Sequence, residues 1–148
     1  MRYDELYIFV FSELENNLAD TLTYHDVLHT QNVIENAAYI AEKEEISADN
    51  ITLLKTAAML HDVGFLENHL NHESLGCDFA KKYLPDLDYS AQEIEAVCTM
   101  IMATKLPQSP KNHLSQILCD ADLFYVGNNE YEFYADKLFL EFKNNGIL

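Results

Sequence analysis

Glycine and proline are scarce in this 148-residue chain, at four and three residues. With so few breakers, long segments are free to run as helices, and their apolar residues recur at spacings of three and four rather than in strict alternation. Basic residues are also few, nine against 25 acidic ones, for a formal net charge of -16. Such a chain repels the phosphate backbone of nucleic acid and an anionic membrane surface, so neither a nucleic-acid polymer nor a membrane is expected as a partner. A small phosphorylated substrate remains compatible, because a bound divalent cation reverses the potential locally. The three cysteines, Cys77, Cys98 and Cys119, form no close pair of the C-x-x-C kind, which argues against a zinc knuckle or a disulfide framework and for buried thiols in a reducing cytoplasm. Met1 to Phe11 lacks the basic-then-apolar order of a signal peptide, and no stretch approaches the ~18 apolar residues that span a bilayer.

What remains reads as one all-α domain over residues 1–148, a bundle of about six to seven helices. The first helix is expected from Tyr3 to about Leu18, and the second from Thr23 or Asp26 to about Glu44. A third follows the cap-favouring run Ser47–Asn50 and ends near Gly64, with His61 and Asp62 at its carboxyl end. The fourth starts between Asn71 and Ser74 and stops before Pro85. Ser90 and Glu93 spell a capping box for the fifth, which ends near Thr104. A loop with Pro107 and Pro110 leads to a sixth helix that opens at His113 or Ser115 and runs to about Tyr125, and a last one covers about Glu130 to Lys143. The aromatic residues of that last helix, among them Phe133, Phe139 and Phe142, are expected to cover the core, with a homodimer face as the alternative.

Histidine is the informative residue type. Five of the six fall in two windows, and His25 and His29 are spaced to share one helical face. The neighbours His61 and Asp62 would diverge by about 100° on a regular helix, so both reach one ion only with a local change of backbone. Asp120 and Asp122 lie in an otherwise apolar segment, Cys119-Asp-Ala-Asp-Leu-Phe, where a buried carboxylate needs a partner. Imidazole nitrogen with carboxylate oxygen suits a divalent transition metal, Mn, Fe, Co, Ni or Zn, without selecting among them.

The strings Tyr24-His-Asp-Val-Leu-His-Thr, Ala57-Ala-Met-Leu-His-Asp-Val-Gly64 and Asp120-Ala-Asp-Leu123, in that order, resemble the HD superfamily of metal-dependent phosphohydrolases. The resemblance implies one metal ion in the centre of the bundle, held by His29, His61, Asp62 and Asp122. It implies His25 as proton donor to a leaving group, Asp62 as a group that also orients water or bridges to a second ion, and Asp120 as a partner fixing a ligand histidine. His72 and Glu73 lie where relatives place a functional histidine, and could complete a partial second site or contact phosphate; His69 and Lys105 are weaker candidates for the substrate side. Relatives with two or three metals carry further histidines after the fifth helix, and Met102-Ala-Thr-Lys-Leu has none, which leaves a second metal open. The function so implied is hydrolysis of a phosphate ester or phosphoanhydride in a small metabolite, a nucleotide first among them. The alternative is an HD module that binds metal or senses a ligand with little turnover.

Overall fold

Helix α3 (Ala48–Leu60) is apolar around its whole circumference towards its carboxyl end, so it has no face to offer water. Leu54, Ala57, Ala58, Met59 and Leu60 are at most 1% exposed. In the computed structural model, which describes residues 1–148, this helix lies inside a layer formed by α1 (Tyr3–Asn17), α2 (Val27–Lys43), α4 (His72–Tyr83), α5 (Ala91–Ala103) and α6 (His113–Asp122), each of which packs against it. A seventh helix, α7 (Tyr131–Asn144), follows, and there is no strand. The chain is thus all-α, with one buried cluster that draws side chains from α1 to α6.

Helix ends follow their capping chemistry. The Asp26 carboxylate accepts the His29 backbone N–H at 2.8 Å and opens α2, while Ser90 and Glu93 form the reciprocal box that opens α5. Asn112 accepts the Ser115 N–H and opens α6. Two ends and one side-chain placement differ from the sequence expectation. Because Asp26 is the cap, His25 precedes α2 and shares no helical face with His29. Helix α3 stops at Leu60, and a 3₁₀ turn, Val63–Leu66, carries the chain away. Helix α6 stops at Asp122, with another 3₁₀ turn at Phe124–Gly127 where helix was expected to Tyr125.

The last helix also departs from expectation. None of its aromatic residues joins the core cluster, and Phe133 and Phe139 are more than half exposed; its one buried residue is Glu141. The reason is that five other helices supply the cover of α3, while α7 packs against the Phe124–Gly127 turn.

Two glycines set how closely α4 approaches the end of α3. A Cβ on Gly64 would stand 2.0 Å from the His72 carbonyl oxygen, and one on Gly76 would stand 2.8 Å from that of Leu60. Backbone-to-backbone contact here brings the first turn of α4 to the end of α3, with His72 against Asp62 and Glu73 against His72. Gly64→Ala is therefore expected to destabilise the fold by about 1–3 kcal/mol or more, since a backbone carbonyl cannot rotate away as a side chain can. Gly127→Ala, whose Cβ meets nothing within 4 Å, should stay within about 0.5 kcal/mol of wild type. Urea denaturation of the two variants measures the difference.

Candidate metal centre

Four side chains from α2, the end of α3 and the end of α6 converge in the bundle. His29 Nε2 is 3.1 Å from Asp122 Oδ1 and 3.3 Å from Asp62 Oδ2. His61 Nε2 is 3.0 Å from Asp62 Oδ2 and 3.3 Å from Asp122 Oδ1. One ligand atom each from His29, His61 and Asp122 lies within 4.8 Å of the others. The adjacent His61 and Asp62 reach the same point because the backbone turns between them: His61 is still helical, with φ -61° and ψ -33°, whereas Asp62 has left the helix, with φ -109° and ψ 3°. The early end of α3 is thus the local change that the doublet requires.

The polar atoms are left incomplete by the protein alone. His61 Nε2 and Asp62 Oδ2 are buried and have no hydrogen-bond partner of adequate geometry. Buried polar groups are almost always satisfied, so this pair has the character of a half-filled coordination set. Ala58 supplies the complement on the far side of the ring: its carbonyl accepts from His61 Nδ1 at 2.8 Å, which puts the neutral ring's proton on Nδ1 and its lone pair on Nε2. Two nitrogens and carboxylate oxygens around one point fit a divalent transition metal ion.

Electrostatics point the same way. Burial works against charge on His29, but hydrogen bonds and charge from Asp122 and Asp62 outweigh it and raise the imidazole to about 9. His61 is raised by the same carboxylates against its burial. Burial would favour neutral Asp62 and Asp122, yet the neighbouring imidazoles hold both well below the usual carboxylate range. In the chain alone, protons on the rings balance the carboxylates, and a cation that binds here takes their place.

A cleft of about 470 Å³ opens onto this cluster. Asp62 and Asp122 form part of its wall, and His25, His69, His72, Glu73, Thr104 and Lys105 line it as well. Asp62 divides its two oxygens between neighbours: Oδ2 faces the histidine pair, and Oδ1 lies 3.5 Å from His72 Nε2, which is itself 3.3 Å from Glu73 Oε1. His72 also stacks on Phe65, whose ring stacks on that of His25, so an aromatic layer runs along one side. Lys105 reaches the cleft from the loop after α5. His69 is on an exposed turn at the rim.

Asp120 is corrected by the structure: it is exposed on the outer side of α6 and fixes no histidine. Two positions along a helix turn a side chain by about 200°, so Asp120 cannot face inward with Asp122. The partner that orients His61 is the Ala58 carbonyl instead. His113, the sixth histidine, pairs with Glu44 at the surface, outside the cluster.

Glu141 has a place in the site that the sequence pattern did not reveal. It reaches from α7 to the segment before α2, where its carboxylate accepts the backbone N–H of Tyr24 at 2.7 Å and of His25 at 2.8 Å, and pairs with His25 Nδ1. The only signal available was an acidic residue inside an aromatic helix, in Leu138-Phe-Leu-Glu-Phe142. Burial opposes ionisation of this carboxyl, but the contacts with His25 and the two N–H groups lower it overall. A group lowered on folding stabilises fully above its unfolded value of about 4.3, and the contribution fades as pH falls through the folded value. Glu141→Gln should therefore cost about 1–3 kcal/mol at pH 7. The gap to wild type should close as pH drops below about 4, measured by denaturant midpoints across pH.

Three comparisons bear on the chain as a whole. A family model for the HD domain matches residues 27–126. Among curated proteins none matches. A crystal structure described as that of a predicted HD superfamily hydrolase from an uncultured Thermotogales bacterium is similar at a TM-score of 0.67 and 25% sequence identity, over 83% of this chain and 73% of that one.

Proposed function

Because the chain belongs to the HD-domain family, we propose that it is a metal-dependent phosphohydrolase acting on a small phosphorylated metabolite of the nucleotide class. The observation that carries this reading is the convergence of His29, His61, Asp62 and Asp122 behind a cleft whose wall includes the two aspartates, with buried polar atoms that the protein leaves unpaired. A divalent ion held by these four residues would polarise a phosphoryl oxygen and lower the pKa of water beside it. The cleft is also of suitable size and character for a nucleotide, since Leu70, Leu106, Leu123, Leu138 and Phe142 give it apolar walls beside the charged groups.

The other residues divide the remaining work. Asp62 Oδ1, turned away from the histidine pair, is the acceptor available to orient an attacking water on the cleft side. His72 stands 3.5 Å from that oxygen and Glu73 pairs with His72, so the two serve either as further water-orienting groups or, with Asp62, as a partial set for a second ion. His25 keeps Nδ1 on Glu141 and lines the cleft, which leaves Nε2 as the ring atom that would carry a proton to the leaving oxygen. Lys105 supplies positive charge for a phosphate oxygen from the facing loop.

One experiment separates this reading from that of a metal-binding or sensing module. The metal-loaded protein is assayed on nucleoside mono-, di- and cyclic phosphates and on p-nitrophenyl phosphate esters, in parallel with His25→Ala. The hydrolase reading predicts turnover of at least one nucleotide and a fall in kcat of about 10²–10⁴-fold in the variant. It further predicts a much smaller loss on the nitrophenyl esters, whose leaving group departs without protonation. A cation bound without turnover across the panel would identify the binding module instead.

A further inference from the structure

Only nine cationic side chains serve a chain of net charge -16, and most are engaged. Arg2 pairs with Glu5 and Lys137 with Asp26. Lys43, Lys55 and Lys82 lie over the rings of Tyr39, Tyr3 and Tyr83. Of the others, Lys143 is on α7, and Lys81, Lys105 and Lys111 all line one cavity of about 610 Å³ between α4, α5 and the loop that joins α5 to α6. None of the three makes an ion pair, although Asp78 and Glu95 are in the same walls. The cavity is therefore net positive on a molecule that is acidic elsewhere.

Its geometry is fixed from both sides. Lys81 rides on the last turn of α4. Lys105 and Lys111 sit at the two ends of a loop that is tied to α5 through the Ser109 N–H, which donates to the Ala103 carbonyl at 3.0 Å, and to α6 through Gln108 Nε2, which donates to the Cys119 carbonyl at 3.4 Å. Lysines held around a concavity, with the hydroxyls of Ser74, Thr99 and Ser109 between them, present point charges and donors to a tetrahedral oxyanion. The volume lies in the range of small-molecule sites and exceeds what one phosphate fills.

We infer that this cavity is a second ligand site, which takes a small metabolite bearing two or more phosphate groups. It shares Lys105 and Leu106 with the cleft at the candidate metal centre, so the two readings meet at Lys105, and what sets the cavity apart is the pair Lys81 and Lys111. Lys81 and Lys111 belong to the cavity alone. They are exposed and unpaired, so their replacement leaves the fold and the metal centre intact.

Calorimetric titration of pyrophosphate into the chelator-treated protein at low salt tests the site. The wild type should bind saturably, and the double variant Lys81→Gln, Lys111→Gln should bind at least about tenfold more weakly, the equivalent of one charge-assisted hydrogen bond. Lys143→Gln, which removes the same kind of charge elsewhere, should change Kd by less than about twofold. Amide resonances of Ser74, Thr99 and Ser109 should shift on addition of pyrophosphate. Absence of saturable binding by the wild type, undiminished binding by the double variant, or an equal loss in Lys143→Gln would each overturn the inference.

Discussion

Two imidazoles and two carboxylates meet around one point at the buried carboxyl end of α3, and the rest of the molecule is arranged to tolerate that meeting. Burying such charges costs several kcal/mol each unless they are neutralised. Neutralisation comes from opposite signs in direct contact, His29 and His61 against Asp62 and Asp122, and it remains incomplete at His61 Nε2 and Asp62 Oδ2. Every nearby helix end follows from this. Helix α3 stops so that Asp62 can turn inward, α6 stops at Asp122, and α2 starts two residues before His29 under the Asp26 cap. Gly64 and Gly76 then allow α4 to close over the same end of α3 at backbone distance.

The function of α7 is clearer in this light. As a packing element it contributes little, since its aromatic side chains stay outside the core cluster. As a site element it contributes Glu141, which holds the segment carrying His25 by two backbone N–H groups and the ring itself. Both His25 and Glu141 lie outside residues 27–126, the part that matches the HD family model. The four side chains at the centre are thus positioned by the shared part of the fold, and the candidate proton donor is positioned by this chain's flanking segments.

Most of the architecture was legible from the sequence because it rests on strong local signals. The three-and-four apolar spacing, the Ser90–Glu93 box and the proline-bearing loop before His113 place the helices within a few residues. The order of the His, His-Asp and Asp motifs pointed to the four residues that the structure brings together. What was not legible depended on where a helix ends or on contacts distant in sequence. Nothing in His61-Asp62 alone says that the helix breaks between the two side chains. The pairing of Glu141 with His25 joins residues 116 positions apart, which no periodicity reveals. Asp120 was drawn into the site by proximity to Asp122 along the chain, although the helical turn places it outside. The lysine cavity is likewise invisible in sequence, because Lys81 and Lys111 are brought together only by the packing of α4 beside the loop after α5.

The claim on which this account rests is that the four-residue cluster binds a divalent cation. Elemental analysis of protein purified without chelator, for wild type and Asp122→Asn side by side, addresses it directly. Near-stoichiometric transition metal in the wild type, lost or strongly reduced in a variant that keeps its helical circular dichroism, is the predicted result. Equal metal content in the two, or none in the wild type after loading with Mn, Fe, Co, Ni or Zn, would contradict it.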